Sequence, residues 1–502
     1  AAQDGATGGR TFWHVAAKGR AFVDFQHDVT TKDIAAAQAE GFGAVEHMKR
    51  YTTLGMATDQ GRVGSVLALG VAAEFAGTDV AQAGTTIFRP PFTPGPLAAL
   101  AGWAPDRPFR PTRLTPTHDW AAARGAVFVE VGQWLRAQYF VRPGETRWRE
   151  SVDREALAVR ATVGFCDVST LGKIDVQGPD AAAFLDRLYC NPMLKVAVGR
   201  CRYGVMLRED GHVLDDGTVA RLAEDHFVVT TTTATAAAVM RHMSFCRDGL
   251  WPEMDVALTS VTEQWAQVAV AGPRARALVA RVVAGIDLSD AAFPYMACGA
   301  ARFMGARARV FRLSYSGELG FEIAVPARLG PALAQALEQA GAEMGATPYG
   351  TEALGVLRIE KGHVAGAELD GRTTPADLGL GRMVSTRKDF IGATLLRRPG
   401  LADPDRPALV GLRTVDPAAA INGGAHLVGA DALADAAPAE GWVTSAAYSP
   451  HLRQTLALGL LKGGAARIGQ RIRAVDPVRG RDTLCVIADP CFIDPDGGRL
   501  RG

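Results

Sequence analysis

The amino-acid sequence predicts an α+β fold of antiparallel sheets with helices, ending in a small β-barrel. Residues 202–243 read as an antiparallel meander followed by a helix, with turns at 209–211 and 223–226. The plan strand, Gly-Pro, helix occurs twice, in residues 174–188 and 265–283, which indicates an internal duplication. From residue 407 onward, short strands alternate with glycine turns, a pattern typical of a small barrel.

Composition narrows the class of protein. The chain has 502 residues, of which 48% are hydrophobic, so it can bury a large core and divide into about three domains. A net charge of +1 predicts neither a nucleic-acid nor a membrane-surface partner. Its seven cysteines form no C-x-x-C pair, so we expect no metal site and no disulfide framework. This use of cysteine predicts a protein of the reducing cytoplasm.

The first 144 residues divide into two predicted segments. Residues 1–85 contain the strand "AFVDF" and then helices, including "GRVGSVLALGVAAEFAG". Residues 86–144 are dense in Pro and Arg and show little periodicity, which predicts an extended connector that lies against another surface. That segment carries five aromatic residues: Phe88, Phe92, Trp103, Phe109 and Trp120. They predict contact with a partner subunit, or else packing on the flanking domains.

Two further domains are predicted, over residues 145–400 and 401–502. The first contains the meander, the hairpin "ARVFRLSYSGELGFEIAVPA" and the helix "PYGTEALGVLRIEKGH". The second is the strand-rich tail that predicts the barrel.

Two adjacent carboxylates, in "GHVLDDGTVARL", stand out within the meander. Strands disfavour Asp, and alternation sends Asp215 and Asp216 to opposite faces of the sheet. A carboxylate on the covered face must be paired, hydrogen-bonded or facing a ligand. The alternative is a turn Asp that binds backbone amides.

Four motifs in order give a family resemblance. "GFCDVSTLGKIDVQGPDAAAFL", "YGVMLREDGHVLDDG", "SYSGELGFEI" and "ALGVLRIEKG" resemble the glycine-cleavage T-protein (aminomethyltransferase) superfamily. The resemblance implies a T-protein-like fold that binds tetrahydrofolate.

A second resemblance extends over nearly the whole chain. "GFGAVEHMKRYTTLGMATDQGR", "FRPPFTP" and "TPTHDWAAARGAVFVEVGQW" are similar to the alpha subunit of bacterial heterotetrameric sarcosine oxidase. It implies that residues 1–85 are the remnant of a dinucleotide-binding domain, whose NAD-binding half lies outside this sequence. It also implies a beta-type partner subunit that holds FAD or FMN, and smaller gamma- and delta-type subunits.

The T-protein resemblance implies a set of folate-binding residues: Tyr203, Asp216, Thr230, Tyr315, Glu322 and Arg358. Among them, it implies that Asp216 is also the catalytic residue. It implies that Asp216 contacts the reactive nitrogens of the pterin, where a carboxylate can take a proton or stabilise a developing cation. The two tyrosines would border the pterin, and Glu322 would pair with its N–H donors. Arg358 would bind the folate, the alternative being a salt bridge with an acid such as Glu360.

One departure from the T-protein pattern bears on the substrate. Thr230 and Thr233 stand where T-protein has paired asparagines, so an aminomethyl-lipoyl substrate is not expected. The predicted function is therefore the folate module of a multisubunit, flavin-dependent sarcosine-oxidase-like enzyme. It would transfer the one-carbon unit of an oxidised N-methyl amine to tetrahydrofolate. A freestanding aminomethyltransferase and a non-catalytic scaffold with the same fold are the alternatives.

Overall fold

The computed structural model describes residues 12–88, 95–103, 111–431 and 438–502. It divides the chain into two compact units, Ala1–Pro111 and Thr112–Gly502. The described residues of the first unit include a two-stranded sheet and the following α-helices: β1 Phe22–Asp24, β2 Val29–Thr30, α1 Thr31–Ala39, α2 Val45–Thr52, α3 Ser65–Ala76 and α4 Val80–Ala83. Among the described residues, no helix has the length and apolar character needed to span a membrane.

The second unit opens with a helix and a hairpin inside the predicted connector. These elements are β3 Arg113–Leu114, α5 His118–Ala122, β4 Ala126–Val131 and β5 Trp134–Phe140. Part of the segment 86–144, which the sequence predicts to be an extended connector, thus forms a short helix and a hairpin. Strands β4 and β5 pair antiparallel, and Trp120 packs against the core of a neighbouring sheet. The alternation of apolar residues in "AVFVEV" supplies the strand signal that the surrounding Pro and Arg residues obscure.

The other aromatic residues of that segment differ from Trp120. Phe88 is exposed, and Trp103 has its whole side chain in solvent. Phe92 and Phe109 lie outside the described residues.

Next comes a five-stranded sheet, with the order β11-β7-β10-β9-β8. The elements of this region are α6 Trp148–Ala161, β6 Gly164–Asp167, β7 Gly172–Gln177, α7 Ala181–Leu188, β8 Arg200–Leu207, β9 Val213–Ala223, β10 His226–Thr231, α8 Ala236–Phe245 and β11 Ala257–Ser260. One face of the sheet packs on α7 and α8 through a core that includes Phe184, Phe227 and Met243.

A six-stranded sheet follows, with the order β13-β14-β15-β12-β6-β16. Its remaining elements are β12 Trp265–Ala271, α9 Ala275–Val282, β13 Cys298–Phe303, β14 Ala306–Phe311, β15 Gly320–Pro326, α10 Gly330–Gly341, β16 Thr347–Pro348 and α11 Thr351–Lys361. The two sheets face each other, because Ala220 and Val228 of the first share a core cluster with Phe311 and Ala324 of the second.

A closed six-stranded barrel, with the order β17-β20-β19-β18-β21-β22, completes the unit. The elements here are α12 Ala393–Leu396, α13 Pro399–Ala402, β17 Ala408–Thr414, β18 His426–Gly429, β19 Gly441–Ser449, β20 Gln454–Leu461, β21 Arg471–Asp476, β22 Arg481–Ala488 and α14 Gly498–Arg501. Helix α11 joins the barrel to the sheets, since Glu360 accepts a hydrogen bond from Ser449 of β19. The predictions of an α+β fold and of a carboxyl-terminal barrel are confirmed.

Candidate functional site

The two adjacent carboxylates of β9 have different partners. Asp215 is buried and accepts hydrogen bonds from the backbone N–H and the hydroxyl of Thr232, at 3.1 and 2.9 Å. Asp216 accepts one from the hydroxyl of Tyr203, at 2.7 Å. Asp215 thus holds the turn after β10, whereas Asp216 lies on the sheet face that the second sheet covers.

Register places Tyr203 beside Asp216. Tyr203 of β8 pairs with Thr218 of β9, and Val205 pairs with Asp216, so all four side chains share one face of the sheet. Burial raises the pKa of Asp216 to about 6, the hydrogen bond from Tyr203 opposes this rise, and the nearby Asp215 charge adds to it. A carboxyl group with this pKa is mostly ionised at pH 7 and can still take up a proton.

Thr230 extends the same face by one strand. Its hydroxyl lies 2.8 Å from the Thr218 hydroxyl and accepts a hydrogen bond from the Thr218 N–H at 2.9 Å. Thr230 therefore lies on the sheet face that carries Asp216, as predicted for a binding residue. Its hydroxyl is already hydrogen-bonded to Thr218 within the sheet.

Glu322 comes from the opposite sheet and has two neighbours that the sequence did not indicate. Gln267 donates a hydrogen bond to its carboxylate, and the positive charge of Lys173 favours its ionised form. Burial outweighs both and raises the pKa of Glu322. Lys173 lies opposite Thr230 in the register of β7 and β10, and it is itself buried.

Tyr315 lies in the loop between β14 and β15. Burial raises the pKa of its hydroxyl to about 12, yet 40% of its surface is accessible. Tyr315 is therefore packed on by protein and still accessible to solvent. The charges of Arg358 and Asp216 also act on Tyr315, so it lies near both of these predicted binding residues.

Arg358 of α11 is engaged by an acid other than the Glu360 considered above. It donates to the carboxylate of Glu368 at 3.0 Å and to the hydroxyl of Ser445 at 2.6 Å. Glu360 instead pairs with the buried Arg160, at 2.6 Å. Arg358 thus ties α11 to the barrel, and its side chain as a whole is 11% accessible.

Tyr203, Asp216 and Glu322 are each only partly buried, and Tyr315 is 40% accessible, so we take the space that these side chains border as the candidate binding cavity. Asp216 and Glu322 lie on the two sheets that face each other, Tyr203 is hydrogen-bonded to Asp216, and the Asp216 charge acts on Tyr315. Carboxylates accept hydrogen bonds from N–H groups, and aromatic rings pack on flat heterocycles. The cavity therefore suits a planar, N–H-rich ligand that loses or gains a proton near Asp216.

Comparison with known proteins gives family matches over most of the chain. The profile of the GCVT N-terminal domain matches residues 117–388, and that of the glycine cleavage T-protein C-terminal barrel domain matches residues 408–494. The profile of the sarcosine oxidase A3 domain matches residues 18–103.

Individual relatives agree with these matches. Sarcosine oxidase subunit alpha of Rhizobium meliloti (strain 1021) is 51% identical over 96% of this chain and 49% of its own length. Aminomethyltransferase of Geobacillus kaustophilus (strain HTA426) is 33% identical over 74% of this chain and 95% of its own length. The crystal structure of glycine cleavage system aminomethyltransferase T from Bartonella henselae superposes with a TM-score of 0.65 and 25% identity, covering 76% of this chain and 98% of that one. The chain spans about half the length of the sarcosine oxidase relatives that it matches.

Proposed function

Because the chain belongs to the glycine cleavage T-protein family, we propose that its cavity binds tetrahydrofolate and that Asp216 assists transfer of a one-carbon unit to it. The observation that carries this proposal is the hydrogen-bonded Tyr203–Asp216 pair, in which burial raises the pKa of Asp216 to about 6, on the sheet that faces the strand of Glu322. These groups fit a reduced pterin, whose ring nitrogens and amino group are N–H donors.

The chemistry assigns a separate task to each group of this chain. When methylene-tetrahydrofolate forms from formaldehyde, two folate nitrogens each lose one hydrogen, and the oxygen leaves as water. Asp216, with a pKa of about 6, is a base strong enough to accept a proton from an attacking amine and weak enough to return it to the leaving group. Tyr203 holds one oxygen of that carboxylate in place through its hydroxyl. Glu322 orients the ring by accepting from N–H donors on its far side.

We further propose that the carbon unit comes from an N-methyl amine oxidised by a flavin, FAD or FMN, in a beta-type partner subunit. The support is the 51% identity to a sarcosine oxidase alpha subunit over 96% of this chain. Gamma- and delta-type subunits, an NAD-binding half of the same subunit and a cytoplasmic location belong to the same proposal. So do the domain bounds 1–85, 86–144, 145–400 and 401–502, with the first a remnant of a dinucleotide-binding domain.

A freestanding aminomethyltransferase is less well supported. Identity to that class is 33%, against 51% to the oxidase subunit. Thr230 and Thr233 also replace the asparagines expected for an aminomethyl-lipoyl substrate, and both hydroxyls are bound to other threonines within the protein.

The assembled enzyme provides the test. Wild-type enzyme and an Asp216→Asn variant would be supplied with sarcosine and tetrahydrofolate, and formaldehyde and methylene-tetrahydrofolate would be measured together. We expect the variant to oxidise sarcosine at the wild-type rate while releasing free formaldehyde, with methylene-tetrahydrofolate formation reduced by about 100-fold. Trapping at the wild-type rate in the variant would remove Asp216 from the mechanism.

A further inference from the structure

His363 lies at the carboxyl end of α11, where the backbone fixes its position. Gly362 adopts a positive φ of 77° and donates to the carbonyl of Ile359 at 3.0 Å, while the N–H of His363 donates to the carbonyl of Arg358 at 2.9 Å. This pair of bonds is a Schellman motif. A Cβ on Gly362 would lie 2.4 Å from the carbonyl oxygen of Pro490, so glycine is required there. The direction in which the His363 side chain leaves the helix is thereby set.

The ring of His363 has a defined tautomer. Its Nδ1 lies 3.0 Å from the carbonyl oxygen of Tyr315. A carbonyl oxygen can only accept, so Nδ1 carries the hydrogen. Burial lowers the pKa of His363 to about 4, the bond to Tyr315 opposes this, and the charges of Lys361 and Arg358 add to the lowering. The neutral ring therefore presents a lone pair on Nε2.

That lone pair is accessible and free. Within the part of the chain that the structure describes, Nε2 has no hydrogen-bond partner, and it is not among the buried polar atoms that lack one. The His363 ring lies 5.7 Å from the ring of Tyr315, on which the Asp216 charge also acts. The guanidinium of Arg358 donates to the carbonyl of His363, which fixes the backbone of the residue beside Arg358.

We propose that Nε2 of His363 accepts a hydrogen bond from an N–H group of tetrahydrofolate, which makes His363 a further binding residue of the cavity. This inference rests on the proposed function. The other acceptors in the cavity, Asp216 and Glu322, are carboxylates that titrate. A neutral imidazole fixed by Tyr315 instead distinguishes an N–H donor, which it can bind, from a carbonyl or an anion, whose oxygen would be repelled by the Nε2 lone pair.

Two substitutions separate the nitrogens of the ring. In His363→Asn the amide nitrogen takes the place of Nδ1 and can keep the bond to Tyr315, while the acceptor at Nε2 is lost. In His363→Gln the amide reaches the place of Nε2 and can restore the acceptor, while the bond to Tyr315 is lost. The probe is tetrahydrofolate itself, titrated under anaerobic conditions by calorimetry into the full chain.

The expected result is a binding constant about 5- to 100-fold weaker for His363→Asn at an unchanged unfolding temperature, since a ligand N–H would be left buried without a partner. His363→Gln should bind within about threefold of wild type. Equal affinity of His363→Asn and wild type would overturn the proposal. If His363→Asn does not fold, His363→Met replaces it: tenfold weaker binding than His363→Gln supports the role, and equal binding refutes it.

A pH series gives a readout that a purely structural role would not supply. The groups acting on the ring are the backbone carbonyl of Tyr315, which accepts from Nδ1, and the charges of Lys361 and Arg358, which oppose its protonation. The ratio of wild-type to His363→Asn affinity should therefore stay constant from pH 5.5 to about 8.5. A ratio that falls toward one below pH 6.5 would mean that the ring becomes charged, which contradicts the proposal. Failure of the wild-type chain to bind tetrahydrofolate would instead refute the proposed function.

Discussion

Replacing Asp216 by Asn should stabilise the fold while impairing the proposed chemistry. Burial raises the pKa of Asp216 from 3.8 to about 6, so the folded chain holds this proton more tightly than the unfolded chain does. The wild-type free energy of unfolding is therefore reduced as pH rises from about 4 to about 6 and stays reduced above that. Two pKa units correspond to about 3 kcal/mol, at roughly 1.4 kcal/mol per unit.

The variant lacks this penalty, because Asn keeps the shape and still accepts from the Tyr203 hydroxyl. For the unit Thr112–Gly502, an unfolding entropy of about 2.1 cal/mol/K per residue converts 3 kcal/mol into a rise in Tm of about 4 °C. Thermal scans at pH 8 should show this rise, and scans at pH 4 should show none. Cavity water would screen the charge, so the value at pH 8 is an upper limit.

Asp215→Asn is the matched control, one residue away on the same strand. Asp215 accepts two hydrogen bonds from Thr232, and an amide can accept only one of them. Burial also raises the pKa of Asp215, so in this variant the relief of a buried charge at pH 8 is offset by the lost hydrogen bond. We expect its Tm at pH 8 to rise less than that of Asp216→Asn. If Asp216→Asn were no more stable than Asp215→Asn at pH 8, or if its Tm rose equally at both pH values, the Asp216 charge would not destabilise the fold.

Three further predictions concern other groups. Tyr203→Phe removes a hydrogen bond that lowers the pKa of Asp216. The midpoint of the pH–rate profile for methylene-tetrahydrofolate formation should therefore move above about 6. An unmoved midpoint would contradict the role of the Tyr203–Asp216 hydrogen bond. Burial raises the pKa of Glu155 to about 7, so the free energy of unfolding of the wild type should fall as pH rises from 4.5 to 7. In urea unfolding, Glu155→Gln should lack this fall. An unchanged dependence on pH would mean that another group causes it. In the segment 86–144, which the sequence predicts to contact a partner subunit, hydrogen exchange around the exposed Trp103 should slow when the flavin subunit binds. Equal exchange in the free chain and the complex would place that side chain outside the interface.

Local patterns predicted much of the site. Strand alternation alone places Asp215 and Asp216 on opposite faces of β9, and the structure gives them the separate partners that this requires. The glycine-rich tail likewise indicated the barrel. Each of these features depends on residues that are near one another in the chain, which is where sequence periodicity carries information.

Features that depend on distant segments were not predicted. Arg358 forms its ion pair with Glu368 and donates a second hydrogen bond to Ser445 of the barrel. Closeness in sequence to Glu360 therefore did not predict its partner. The tautomer of His363 is likewise fixed by a distant group, the carbonyl oxygen of Tyr315 in the loop between β14 and β15. Such contacts follow from packing between sheets, helix and barrel, and no short motif encodes them.

Calorimetric titration of the isolated chain with tetrahydrofolate, NAD and FMN would show directly whether this chain is the folate-binding module. We expect one tetrahydrofolate site per chain, weaker binding when Glu322 is changed to Gln, and no binding of NAD or FMN. Absence of tetrahydrofolate binding under saturating anaerobic conditions, or tight binding of NAD by this chain alone, would contradict this assignment.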